Sequence, residues 1–137
     1  MGYNFSIAGV AGRTKGNYAR GDAPSVGMEG PYDLPMPNGP LEVFSRLIRK
    51  GVPVRRLGSA AMDLCWVAAG RFDGFFEHKL NAWDSAAGFL IVEEAGGRVS
   101  DFSGKKYSPY QPQIAATNGR IHDELLKWID GSITAGA

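Results

Sequence analysis

Asp84 is the residue of this chain best placed to do chemistry. It lies in Trp83-Asp84-Ser85-Ala86-Ala87-Gly88, which runs into Phe89-Leu90-Ile91-Val92 and closes at Gly96-Gly97. The pattern predicts a helix with Asp84 at its mouth as an N-terminal cap. A carboxylate there meets free N–H groups and the positive end of the helix dipole. Small residues keep the first turn slim, so a ligand or a second backbone can approach. Leu90, Ile91 and Val92 are expected to bury the body of the helix. A carboxylate held at the edge of an apolar element suits a hard cation. Upstream, Glu77 ends an apolar run from Phe72 that reads as a strand. Gly58-Ser59-Ala60 reads as a strand-to-helix turn, where glycine admits a close backbone approach and the free N–H groups favour oxygen ligands or anions.

Positioning these groups takes alternating strands and helices. Leu41, Phe44, Leu47 and Ile48 share one helical face, and Gly51 stops that helix. Val52 to Leu57 reads as a strand. Ser59 caps a helix that runs to about Ala69. After the Phe72 strand and the Asp84 helix come strands at Val99 to Phe102 and Gln113 to Thr117. Asn118 is expected to cap a last helix with Ile121, Leu125, Leu126 and Ile129 on one face. The alternation predicts an α/β domain, a layered sheet with flanking helices. Residues 1–40 differ: they are rich in Gly and Pro, with one short strand around Tyr3, Phe5 and Ile7 and a loop from Gly9 to Gly30. The domain reading is a partly extended or disordered leader over 1–40, a folded domain over 41–130 and a flexible tail over 131–137.

The motifs carry a resemblance. The Trp83-Asp84 segment is similar to the C-terminal signature of the inositol monophosphatase family, the magnesium-dependent, lithium-sensitive sugar-phosphate phosphatases. Arg56-Leu57-Gly58-Ser59-Ala60-Ala61-Met62-Asp63-Leu64-Cys65 and Val67-Ala68-Ala69-Gly70-Arg71 resemble the family's preceding strand and helix. Asp73-Gly74-Phe75-Phe76-Glu77 resembles the next strand, and Ile114-Ala115-Ala116-Thr117-Asn118 the last. The resemblance covers roughly residues 41 to 130 and implies the C-terminal α/β half of that fold. It also implies roles. Asp84 would bind a catalytic metal. Glu77 would accept hydrogen bonds from substrate hydroxyls, as a carboxylate can from two neighbours at once. Gly58, Ser59 and Ala60 would contact the hydroxyls and the phosphate region.

The family's Asp-Pro-Ile/Leu-Asp-Gly-Thr segment, which supplies most metal ligands, is absent from the sequence, as is the Glu-Glu pair that precedes it. One carboxylate cannot hold two or three magnesium ions, which need several oxygen ligands each. The chain therefore reads as a truncated relative that binds magnesium weakly or not at all and is inactive alone. Its ligand would be a phosphorylated sugar or inositol if a site is assembled. The alternative reading is a non-catalytic oligomerising or ligand-binding module. Half of an enzyme should expose apolar surface, which predicts a homo-oligomer.

Composition narrows the classes further. The 137 residues suffice for one core, and a net charge of +1 makes no case for nucleic acid or a membrane surface. Arg13, Lys15 and Arg20 around Tyr18 are too few charges for an RNA-binding tail. No apolar run reaches the roughly 18 residues that span a bilayer, and the N-terminus has no signal-peptide pattern. A cytoplasmic setting is expected. The lone Cys65 reads as a buried packing residue. His78 and His122 are expected to be exposed, Asp63 to be hydrogen-bonded structurally, and Glu93 and Glu94 to lie at the surface.

Overall fold

The computed structural model describes residues 38–55 and 57–133 in full, together with the backbone of Phe5–Ala8 and Met28–Glu29. Arg13, Lys15, Tyr18, Arg20, Arg56 and the tail from 134 lie outside the described residues. The chain order is β1 (Phe5–Ala8), β2 (Met28–Glu29), α1 (Pro40–Arg49), β3 (Val54–Arg55), α2 (Ala60–Ala68), β4 (Phe72–His78), α3 (Ala82–Glu94), β5 (Arg98–Ser100), β6 (Gln113–Thr117) and α4 (His122–Asp130). The strands form one sheet in the order β3-β1-β4-β6-β5, with β2 also on β4. Only the β2–β4 pairing is parallel; the others are antiparallel. Two strands of the 1–40 segment thus belong to the same sheet as the downstream elements, and β2 falls where a loop is expected.

β4 is the spine. All seven of its residues are buried, because helices cover both faces of the sheet. Adjacent residues point to opposite faces. Phe75, with Ile114 and Ala116 of β6, packs under α2 and α3 against Leu64, Val67 and Val92. Phe76 and Ala115 face α1 and α4 and meet Val43, Leu47, Leu125 and Trp128. The result is a helix–sheet–helix sandwich, an α/β layered domain.

Local choices follow the sequence with some shifts of phase. α1 starts with Pro40 at its first position and carries Glu42 early and Arg46 and Arg49 late, each complementing the dipole. Its buried residues are Pro40, Val43 and Leu47. Leu41 and Ile48 of the expected face are exposed, because the helix is turned to bring Val43 and Pro40 onto the core. Arg46 donates to the carbonyls of Trp128 (3.0 Å) and Ile129 (3.3 Å) and to Asn38, tying α1 to the last turn of α4. Ser59 caps α2 by accepting from the Met62 N–H. Asn118 does not cap α4: Ile121 holds the cap position, and the Asn118 side chain instead accepts from the Arg120 N–H within the preceding turn. The strands around Val54 and Val99 are shorter than the sequence suggests, and β4 runs one residue further.

Three expectations of exposure are overturned. Cys65 is exposed, because α2 turns Leu64 and Val67 inward instead. Leu90 and Ile91 are also exposed, and only Val92 of that run is buried, beside Gly88 and Ser85. His78 and His122, at 3% and 1% exposure, are both buried. His78 lies edge-on to Phe102, with ring centroids 4.8 Å apart. His122 is held by two hydroxyls, Ser100 Oγ at 2.7 Å from Nε2 and Thr117 Oγ1 at 3.0 Å from Nδ1.

Candidate active site

Asp84 occupies the third position of α3, and Asn81 is the N-cap. The spacing Asn-x-x-Asp is a capping-box pattern in which the acidic side chain reaches back. The Asn81 N–H donates to Asp84 Oδ2 at 3.1 Å. One oxygen is thereby committed to the helix start, while the carboxylate itself is half-buried. The expectation that Asp84 is itself the cap is thus corrected by three residues. Asn81 was missed, although the Asn81–Asp84 spacing was there to find it.

The packing of α2 on α3 fixes what stands beside Asp84. A Cβ on Gly88 would lie 2.6 Å from Leu64 Cδ1, so the two helices touch closely at these positions. Their C-terminal ends share a cavity of about 270 Å³ lined by Val67, Ala68, Gly70, Val92 and Gly96. α2 and α3 therefore run parallel, with their N-terminal ends on the same side of the layer. Gly58, at φ 81° in the left-handed region, turns the chain into α2. Two helix N-termini thus open at one end of the layer and concentrate positive dipole ends there, although the Met62 and Asp84 N–H groups are already taken by Ser59 Oγ and the Asn81 carbonyl. The cavity lies at the opposite end of the helices, away from Asp84.

Glu77 comes to that same end from below. It is 1% exposed, one residue before the end of β4, and on the face that carries Phe75. A solvated strand end is therefore excluded. Tyr107 links the groups. Its hydroxyl lies 2.6 Å from Ser85 Oγ. Burial raises the Tyr107 pKa, the Ser85 bond opposes that rise, and the nearby carboxylates of Glu77 and Asp84 push it up again. Glu77, Asp84, Ser85 and Tyr107 thus share one neighbourhood. Sequence reasoning missed Ser85 and Tyr107; a separation of 22 positions hides the pair.

The arrangement can bind an oxygen-rich molecule, with hydroxyls toward a buried carboxylate and anionic oxygens toward the helix ends. Magnesium is more demanding, since it wants near-octahedral oxygen coordination. Among the described residues no group of three or more His, Cys, Asp or Glu could hold a metal ion. Alone, these residues do not fit a complete magnesium site. Asp63, at 0% exposure in the first turn of α2, is core. Glu93 and Glu94 lie exposed at the far end of α3.

Comparison with known proteins identifies the family. The family model for the inositol monophosphatase family matches residues 32–133. The chain belongs to the inositol monophosphatase family. A fructose-1,6-bisphosphatase/inositol-1-monophosphatase of Thermotoga maritima is 45% identical over 87 residues, 64% of this chain and 34% of that protein. An inositol-1-monophosphatase of Mesorhizobium japonicum is 51% identical over 82 residues, 60% of this chain and 31% of the relative. Among solved structures, the extragenic suppressor protein suhB of Bartonella henselae superposes with a TM-score of 0.61 at 40% identity, over 74% of this chain and 39% of that one. The domain therefore has the fold of the matching part of these proteins. The matched segment spans about a third of the curated relatives. Among the described residues no helix is long and apolar enough to cross a membrane.

Proposed function

We propose that this chain carries the alcohol-recognising part of a phosphomonoesterase site that acts on a sugar or inositol phosphate. The observation that supports the reading is the parallel packing of α2 and α3, whose N-terminal ends share one end of the layer with Asp84 and, through Tyr107, buried Glu77. In this reading Glu77 accepts hydrogen bonds from ring hydroxyls, where burial strengthens each bond. The N–H groups at the head of α2 face the ester's oxygens. Asp84 has one oxygen not committed to Asn81 and would be a single ligand toward magnesium, which the described residues alone do not complete. Bound there, the metal would supply Lewis acidity for hydrolysis. The exposed Cys65 thiol suits a reducing compartment such as the cytoplasm.

Calorimetric titration with magnesium, with and without inositol phosphate, tests this. The expected result is metal binding in the millimolar range that needs the ester and is lost in Asp84→Asn. Binding that is unchanged by Asp84→Asn would sink the assignment.

A further inference from the structure

The connection between β5 and β6 touches the entrance of α3 twice. At one end the Tyr107 hydroxyl lies 2.6 Å from Ser85 Oγ, in the first turn of the helix. At the other the Leu80 N–H donates to the Pro112 carbonyl at 3.1 Å, just before the helix starts. The Asn81–Asp84 capping box falls between these two ties. The connection is itself well braced. Asp101 Oδ1 accepts from the Ser103 N–H, the Ser103 hydroxyl and the Lys105 N–H, which folds the turn ahead of Tyr107. Lys106 then pairs back with Ser100 of β5 in a β-bridge. Beyond Tyr107, the Gln111 N–H donates to the Ser108 carbonyl, and the Gln111 side chain accepts from the Ser108 N–H. The Tyr107 ring stands edge-on to Phe89, with centroids 5.3 Å apart. It packs in the same cluster as Phe75 and Ile114, and Ile114 is the cross-strand neighbour of Glu77.

The bond from Asn81 to Asp84 is local. It orients the carboxylate within the helix but by itself leaves the helix head free to shift as a unit against the sheet. The Ser85–Tyr107 bond is tertiary. It joins two buried side chains, at 0% and 4% exposure, where a hydrogen bond is electrostatically stronger than in water. We propose that Tyr107 is a positioning residue of the ligand-binding end: through Ser85 it fixes the entrance of α3, and with it Asp84, relative to Glu77. The inference rests on the reading of that end as the alcohol-recognising part of a phosphomonoesterase site. Groups that bind a ligand together need placement to within about 0.5 Å, which comes from the residues that brace them. Phenylalanine at 107 would keep the packing against Phe89 and lose the tie to α3.

A double-mutant cycle separates positioning from structure. Tyr107→Phe and Ser85→Ala each strand one buried hydroxyl, whereas the double variant strands neither, so stability recovers part-way in the double. Affinity for inositol 1-phosphate in the presence of magnesium should not recover. It should fall about tenfold in each single variant, as for the loss of one well-made polar contact, and stay there in the double. Tyr110→Phe, in the same connection but 91% exposed, should leave the affinity unchanged. A second readout needs no ligand. Amide hydrogen exchange at Asn81 and Asp84 should quicken about tenfold in the double variant, with exchange at Ala95 and Gly97 at the far end of α3 unchanged, as for a local opening. Affinity restored in the double variant would overturn the proposal. So would exchange that quickens evenly along α3, or not at all. A parent chain that fails to bind the ester would sink the proposed function instead, and the exchange measurement would still decide the role of Tyr107.

Discussion

Lowering the pH from 7 to 5 should destabilise this domain by an amount set by its two histidines. Burial depresses His122 from the ordinary 6.5 to about 4, with Arg98 acting the same way and Asp123 opposing. Burial likewise lowers His78 to about 4, against a smaller upward pull from the backbone of Asn38. The hydrogen bonds around His122 give the neutral ring a defined tautomer. Ser100 Oγ donates to the Asp101 carbonyl, so it must accept from Nε2–H. With the proton on Nε2, Nδ1 of the neutral ring accepts from the Thr117 hydroxyl, whose oxygen also accepts from the Gly119 N–H. Protonating Nδ1 would force that hydroxyl to turn its proton away from the ring in a buried site. Because each folded pKa lies below its unfolded value, the unfolded chain binds more protons between pH 6.5 and 4. Stability is therefore fully present above the upper value and falls with pH through that window. At 1.36 kcal/mol per unit, each histidine costs about 2 kcal/mol by pH 5 and about 3 in total, so the pair removes about 4 kcal/mol by pH 5. That is a large share of the roughly 5–15 kcal/mol that holds a domain together. Urea unfolding at pH 7, 6 and 5 reads the loss directly, and imidazole resonances report both the pKa values and the Nε2–H tautomer. A histidine titrating near 6.5 in the folded chain, or a urea midpoint unchanged at pH 5, would refute the reasoning.

Other perturbations have equally definite outcomes. Gly97→Ala and Gly88→Ala should both destabilise in urea unfolding. The added methyl at 97 would meet the Thr117 carbonyl at 2.5 Å, and at 88 it would meet Leu64 Cδ1 at 2.6 Å and Leu64 Cβ at 2.7 Å, neither of which can clear without a shift of backbone; overpacking of this kind costs about 1–3 kcal/mol. A variant as stable as the parent would mean that its junction is looser than described. Ser59→Ala should lose about 1 kcal/mol of stability with the cap of α2, and Ser59→Asp should restore most of it. Tyr107→Phe should cost about 1–3 kcal/mol by stranding the buried Ser85 hydroxyl, and the double variant Tyr107→Phe with Ser85→Ala should recover part of that loss. No recovery would show that the Ser85–Tyr107 bond is not what holds the pair.

What could be read in the sequence depended on how local its cause was. Gln113–Thr117 is a run of β-compatible residues closed by Asn118-Gly119, and the strand falls where it is expected. The segment from Trp83 to Gly97 announces its helix through small residues, an acid at the start and glycines at the end. Its orientation was another matter. α2 and α3 have no polar side, so nothing in their sequences says which apolar residues face the sheet. Leu90 and Ile91 therefore read as inward although the structure exposes both. The burial of His122 depends on Ser100 and Thr117, which arrive from two other strands, and no spacing near His122 signals them. At the site, Asp84, Glu77 and Ser59 were visible as isolated residues. Their shared end of the layer follows only from the parallel contact of Gly88 with Leu64, which is tertiary.

The central claim is that Gly58–Ala60, Glu77 and Asp84 form one ligand-binding end, and amide resonance mapping during titration with inositol 1-phosphate in the presence of magnesium tests it most directly. The account predicts shifts clustered at Gly58, Ser59, Ala60, Glu77, Asp84 and Ser85 that disappear in Glu77→Gln. Shifts centred instead on the cavity at the opposite end of α2 and α3, or shifts at the site that persist in Glu77→Gln, would contradict it.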